Sequence, residues 1–387
     1  MKNYIPTYDE AKAMVVAKGE LVFYETERFI DGYKVSTFNY RLAQFTDFIK
    51  PLTGRKNADA KELRGLCFVF NKDGSLYKRF LMLKKFWNVN QVTETLYENI
   101  KDLTIKSIYT KEDGSLISFI KFPNGRVIPK TKMGFDNDQT IEVEKIYKDN
   151  KKLRDFVNYC LDNDIVSFWE FVSFKNRIVL NYDKPNLILL KLRDNNTGEY
   201  LDIEKYRNKG FDVVKSKDII DLKTLIKNVE EAKGIEGVVI TFDNDYMVKQ
   251  KSIEYFQRHR LLTEDANRED TIISMILNDT IDDIISQLDE IMDKEQIDFI
   301  EGIELIVKDF LAKRIEEVSI LSSKYDGNMK DFAIRYKKDK NFGLAINVIK
   351  SFEGKDVYAI VKDWLLYQTN KLEKARSFVQ RKGFKRK

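Results

Sequence analysis

Short runs rich in β-branched and aromatic residues mark the first two thirds of the chain. Gly65-Leu66-Cys67-Phe68-Val69-Phe70, Ser115 to Phe122, Ile165 to Phe174, Asn186 to Leu192 and Ile235 to Phe242 each have the length and composition of a strand. After about Lys251 the period changes. Ile303, Ile306, Val307, Phe310, Leu311, Ile315 and Val318 recur at helical spacing, and Val361, Trp364, Leu365 and Leu372 do so again. Pro6, Pro51, Pro123, Pro129 and Pro185 all lie in the first half, so no proline interrupts the helical stretch. The pattern predicts an α+β fold, in which antiparallel or mixed sheets with helices are followed by an all-α domain. The boundary is expected between Glu254 and Arg268, with domains at 1–253 and 254–387.

Composition narrows the class. At 387 residues and 43% apolar content the chain can bury real cores, and 12% aromatic residues argue against disorder. A formal net charge of +5 allows a polyanionic partner without demanding one. The charge is uneven: Lys371, Lys374, Arg376, Arg381, Lys382, Lys385, Arg386 and Lys387 face only Glu373 at the end of the chain. That tail reads equally as a phosphate-binding strip or as a solvated terminus. Cys67 and Cys160 sit in apolar runs, as buried free thiols of a reducing compartment would, and the expected location is cytoplasmic. No apolar run is long enough to span a bilayer, so no membrane partner is expected. The single histidine, His259 in Gln257-Arg258-His259-Arg260, excludes His-based triads and His-rich zinc sites and reads as a surface or phosphate-facing group. Chemistry is left to Lys, Arg, Asp, Glu and a metal ion.

One segment carries a candidate nucleophile. Lys111-Glu112-Asp113-Gly114-Ser115 has the spacing K-x-D-G between two strand-like runs. Asp-Gly is also a hairpin signal, and Asn71-Lys72-Asp73-Gly74-Ser75-Leu76 repeats the turn without the lysine, as a plain hairpin would. A K-x-D-G-S match arises by chance in a chain of this length on the order of one time in a hundred. Downstream, Glu170, Glu236, Lys249 and Lys251 interrupt apolar strand-like runs, where charge is costly unless paired or used. Lys249 and Lys251 share one strand face, an arrangement suited to an anion such as a triphosphate between them.

In that order, Lys111 to Ser115, Trp169-Glu170-Phe171, Glu236-Gly237-Val238-Val239 and Lys249-Gln250-Lys251 resemble the nucleophile, third, fourth and fifth motifs of the covalent nucleotidyltransferase superfamily. Within it the chain resembles the bacteriophage RNA ligase 1 family, through Glu62-Leu63-Arg64-Gly65, Lys85 to Asn90, Asn176 to Leu180 and Thr197-Gly198-Glu199-Tyr200. DNA ligases usually carry an Arg where this chain has Leu116, and a β-barrel where it predicts helices.

The resemblance implies an ATP-grasp-like nucleotidyltransferase domain and an ATP-dependent RNA ligase of the tRNA-repair type, acting through lysyl-AMP on Lys111 and then an adenylylated RNA 5′ end. It implies ATP and Mg2+ or Mn2+, with Arg64, Lys85, Lys132, Lys249 and Lys251 on phosphates, Glu170 on the ribose and Glu236 on the metal. Lys130 competes with Lys132. Asp282-Asp283, at the start of a helical stretch, is a further metal candidate, although adjacent acids near a helix N-terminus more often serve the helix dipole. The implied partner is RNA, first of all tRNA broken in its anticodon loop, bound by a monomer in the cytoplasm, that of an infected host if the source is viral. A lysine with a reference pKa near 10.4 is protonated at pH 7, so burial and cationic neighbours must lower it. Two rivals are a GTP-dependent capping-type guanylyltransferase and a non-catalytic RNA-binding protein; nucleotide preference and the absence of a covalent adduct separate them.

Overall fold

The predicted strands form, most of them with ends shifted by a few residues. The computed structural model describes residues 4–41, 43–49, 59–173, 184–255, 268–278, 281, 294–351 and 356–382. Two compact units divide the chain, Met1–Leu262 and Thr263–Lys387.

In the first unit β1 (Phe23–Ile30), β2 (Tyr33–Tyr40), β3 (Leu66–Phe70) and β4 (Leu76–Phe80) make an antiparallel meander in sequence order. The next strand, β5 (Ile105–Lys111), belongs to a different sheet from β6 (Ser115–Lys121), which follows it after three residues. β6, β7 (Val127–Thr131), β8 (Ile165–Val172), β9 (Asn186–Asp194) and β10 (Tyr200–Leu201) form a second sheet in the order β10-β9-β8-β6-β7, and β11 (Asp212–Val213) runs parallel to β9. β12 (Ser216–Lys217), β13 (Gly237–Phe242) and β14 (Met247–Lys251) join β5 in a third sheet, ordered β12-β5-β13-β14.

This topology answers the question left by the two Asp-Gly turns. Asn71 to Leu76 is a plain hairpin: β3 pairs β4, and Asn71 N–H donates to the Ser75 carbonyl at 2.8 Å. Lys111 to Ser115 is a crossover, because β5 and β6 hydrogen-bond to other partners. The glycine there is a packing requirement, since a Cβ on Gly114 would lie 2.3 Å from the Phe171 carbonyl oxygen of β8. Lys111 is thus fixed where one sheet hands the chain to another.

Helices Asp138–Asp149 and Lys151–Asp162 cover one face of the second sheet. Asn137 and Asn150 cap their free N–H groups through their side chains. Leu153, Val157, Cys160 and Leu161 lie on one stripe of the second helix and are buried. Cys67 and Cys160 are both buried and free, as expected, and burial pushes their thiols up to about 11 and about 12.

Among its described residues the second unit consists of helices and the turns that join them, with no strand. Its long helix Lys294–Ser322 buries Ile303, Val307, Phe310, Leu311 and Val318 of the predicted stripe, with Ile306 and Ile315 half-buried. Helices Met329–Tyr336, Phe342–Lys350, Val357–Gln368 and Leu372–Arg381 follow. The α+β expectation therefore holds. Among the described residues no helix is long and apolar enough to cross a membrane.

Candidate active site

Strand register gathers the charged residues. On β5, β13 and β14, Lys111 stands opposite Gly237, and Gly237 opposite Lys251. The strands approach so closely that a Cβ on Gly237 would lie 2.0 Å from the Gln250 carbonyl oxygen. Glu236, one residue before β13, is buried beside this row. Its Oε1 meets Lys111 Nζ at 2.7 Å and Lys251 Nζ at 3.3 Å. Ser252 holds the segment in place, with its N–H donating to the Glu236 carbonyl at 2.9 Å and its hydroxyl to the Ile235 carbonyl at 2.8 Å.

The two lysines expected to flank an anion are thus arranged around a carboxylate in part: Lys251 meets Glu236 directly. Lys249 anchors the neighbouring segment through its backbone, receiving Val89 N–H and donating to the Trp87 carbonyl, which draws Lys85 to Asn90 alongside β14. Lys111 is 24% exposed, so its amine is reachable while ion-paired.

Glu170 enters from the second sheet, on β8 opposite Leu116. Burial pushes its carboxyl up to about 8; Lys111 and Arg64 oppose the rise, and the Glu236 and Glu112 carboxylates add to it. The structure therefore brings Lys111, Glu170, Glu236 and Lys251 together, with the Arg64 charge felt at the same carboxyl. Arg64 donates to the Lys84 carbonyl at 3.5 Å and lies over the Phe86 ring.

Lys85 and Lys132 form a neighbouring group around Tyr40, their amines 5.2 and 3.9 Å from the ring centroid. Lys130 differs from its competitor: it is 1% exposed, and its amine donates to the Gly65 carbonyl at 2.9 Å. Burial pushes that amine down to about 8. Asp282 and Asp283 lie outside the described residues, as do Asn176 to Leu180, His259 and the last basic residues Lys385 to Lys387.

Some contributors carried no readable signal in the sequence. Tyr255 donates its hydroxyl to Asp113 Oδ1 at 3.2 Å, and the Lys251 amine lies 5.2 Å from its ring centroid. Asp113 and Tyr255 are 142 residues apart, and only the folded chain joins the end of β14 to the K-x-D-G turn. Arg193 is equally hidden. Wholly buried, it clamps both Glu62 oxygens at 2.8 and 2.6 Å and donates to the Gly198 and Met82 carbonyls. The clamp ties Glu62-Leu63-Arg64-Gly65 to the turn at Thr197 to Tyr200 and so fixes the backbone that carries Arg64.

Glu236 Oε2 is buried and makes no hydrogen bond among the described residues. An orphaned carboxylate oxygen costs free energy unless something electropositive fills the gap. It suits a hard divalent cation that takes most of its other ligands from phosphates and water. Among the described residues no group of three or more His, Cys, Asp or Glu side chains could hold a metal by itself.

Residues 62–256 match the sequence model of a family described as RNA ligase. A protein of Thermovibrio ammonificans named "Putative RNA ligase" is 30% identical over 236 residues, which cover 58% of this chain and 60% of that protein. Among solved structures, an archaeal ATP-dependent RNA ligase is similar with a TM-score of 0.48 and 13% identity, covering 94% of this chain and 96% of its own. An apo RNA ligase variant of Naegleria gruberi is similar with a TM-score of 0.37 and 16% identity, covering 46% and 57%.

Proposed function

The chain belongs to the RNA ligase family, whose model spans half of it, and from that premise we propose that it is an ATP-dependent RNA ligase using Lys111 as nucleophile. The observation that carries this is the Lys111 amine, reachable from solvent and held at 2.7 Å by a buried carboxylate at the junction of two sheets.

The Lys111 nitrogen attacks the α-phosphorus of ATP; a P–N bond forms, the bond to pyrophosphate breaks, and the ammonium proton leaves. An oxygen of the RNA 5′-phosphate then displaces the lysine and takes the AMP. Last, the RNA 3′-hydroxyl attacks that 5′-phosphate, closing the phosphodiester and releasing AMP. Ion-paired to Glu236, the amine is a donor whose lone pair is not free. Glu236, whose buried Oε2 makes no hydrogen bond among the described residues, would hold a divalent cation such as Mg2+, which would supply neutralisation of phosphate charge and weaken the hold of that carboxylate on Lys111.

Lys251 and Lys249 receive the triphosphate, Glu170 accepts a ribose hydroxyl, and Arg64 meets phosphate. Lys85 and Lys132, drawn toward Tyr40, serve the leaving group or the incoming RNA phosphate. Lys132 suits this role better than Lys130, whose amine is spent on the Gly65 carbonyl. Residues 1–253 form the adenylyltransferase domain and 254–387 the RNA-binding domain. A tRNA broken in its anticodon loop is the first substrate to test, and Asp282 and Asp283 stay candidates for a second metal contact.

Incubation with α-labelled ATP or GTP and Mg2+, followed by a denaturing gel, tests the scheme. Wild type should retain label from ATP, and Lys111→Ala should retain none. Label in the alanine variant would move the nucleophile elsewhere, and preference for GTP would favour a guanylyltransferase. A labelled protein that cannot seal 5′-phosphorylated RNA would keep the chemistry and overturn the substrate.

A further inference from the structure

Apart from the residues around Glu236, a cavity of about 550 Å3 is lined by β5, β9, β12 and β13 together with residues 200–204. At its wall stands a second lysine that the reaction does not use. Lys191 is 8% exposed, donates to Thr241 Oγ1 at 3.0 Å, and lies 4.7 Å from the Tyr109 ring centroid. Both partners are neutral.

The acids of the same wall are already engaged. Asp245 pairs with Lys106 at 2.9 Å, Glu204 accepts from the Tyr109 hydroxyl and pairs with Arg207, and Asp202 accepts from the Glu204 N–H. Among the described residues Lys191 has no carboxylate at ion-pair distance. An ammonium has three donors, and a buried one with only a hydroxyl and a ring face leaves charge uncompensated. Lys217 adds a further positive charge at the rim. Leu201 and Ile219 give the cavity an apolar side.

We propose that this cavity binds a small organic anion, whose carboxylate or phosphate meets Lys191 while an apolar or aromatic body lies along Tyr109, Leu201 and Ile219. Volumes of 300–1,000 Å3 with a few placed polar groups are usual for such ligands. Burial pushes the Lys191 amine down to about 8, with the Lys106 charge adding to the fall and the Asp245 carboxylate opposing it. The inference stands apart from the ligase reading, because its readout is binding.

Isothermal titration of the full chain with benzoate and with phenyl phosphate separates the two headgroups on one aromatic body. One of them should bind with one-to-one stoichiometry. Lys191→Met should weaken it at least about tenfold, the loss expected for a charge-assisted hydrogen bond, and Lys191→Arg should largely restore it. No binding of either probe to wild type, or equal binding by the Met variant, would overturn the proposal. Should the Met variant not fold, acetic anhydride labelling of wild type read by peptide mass spectrometry decides: bound anion should protect Lys191, and unchanged labelling under saturation refutes it.

Discussion

Single residues in this site are governed by what burial does to charge. Glu170 has a carboxyl raised from 4.5 to about 8, so the folded chain binds a proton there that the unfolded chain has already lost. Its contribution to stability is complete below about pH 4.5 and disappears as the pH climbs through 8. Glu170→Gln, which is neutral throughout, should therefore gain on wild type by about 3 kcal/mol between pH 5 and pH 8 in urea unfolding. Parallel pH profiles for the two proteins would show that the carboxyl titrates normally. Arg193 and Glu62 present the opposite case. Burial works against the guanidinium, but the Glu62 carboxylate beside it offsets that and holds it above its ordinary value. Arg193→Met removes both short contacts to the buried Glu62 carboxylate and leaves it facing the Lys84 amine at 3.7 Å, which should cost about 3–5 kcal/mol. The double variant Arg193→Met, Glu62→Leu should recover much of that loss, as replacing both partners of a buried pair does. If the double variant is no more stable than the single one, the clamp's value lies in its bonds to Gly198 and Met82 instead.

Secondary-structure elements show how much the sequence displays and where it stops. The apolar runs disclose the existence of β3, β6, β8, β9 and β13, because composition and alternation are local properties. Pairing is not local: Asp73-Gly74 and Asp113-Gly114 look alike along the chain, yet one closes a hairpin and the other passes between sheets. The difference lies in what each glycine meets. Gly74 has φ of +85° with nothing within 4 Å of a Cβ, whereas Gly114 has the Phe171 carbonyl at 2.3 Å. Gly74→Ala should thus cost only the strain of a left-handed residue, about 1 kcal/mol, and leave nucleotide transfer intact. Gly114→Ala must push β6 from β8, displacing Lys111 and Glu170 relative to each other, and transfer of label from ATP should fall at least about a hundredfold, as misplaced reacting groups do. Equal losses in the two variants would mean that the crossover does not set the geometry around Lys111.

Across the whole molecule, legibility follows the same division between local and distant. Glu170, Glu236, Lys249 and Lys251 could be picked out one by one, since each interrupts an apolar run, but the Glu236 bridge from Lys111 to Lys251 and the contact of Tyr255 with Asp113 exist only once the strands are in register. Charge distribution is a molecular property that the sequence does display. With 67 basic against 62 acidic residues the excess is small, so the proposed RNA substrate would meet it where it concentrates. Helix Leu372–Arg381 buries Ala375, Phe378 and Val379 and leaves Lys374 and Arg381 exposed, with Lys371 exposed just before it. Arg376 of the same helix is tied to Glu269 at 3.3 Å, so this helix is fixed within its unit and its basic face is a formed surface. Neutralising Lys371, Lys374 and Arg381 together to Gln should lower RNA affinity at low salt and flatten its salt dependence by about 2 in the slope of log K against log salt, at about 0.7 per phosphate contact on single strands. Self-adenylylation should be unaffected, because it needs no RNA. An unchanged salt slope would assign the basic end of the chain to solvent and place the RNA contacts on the first unit alone.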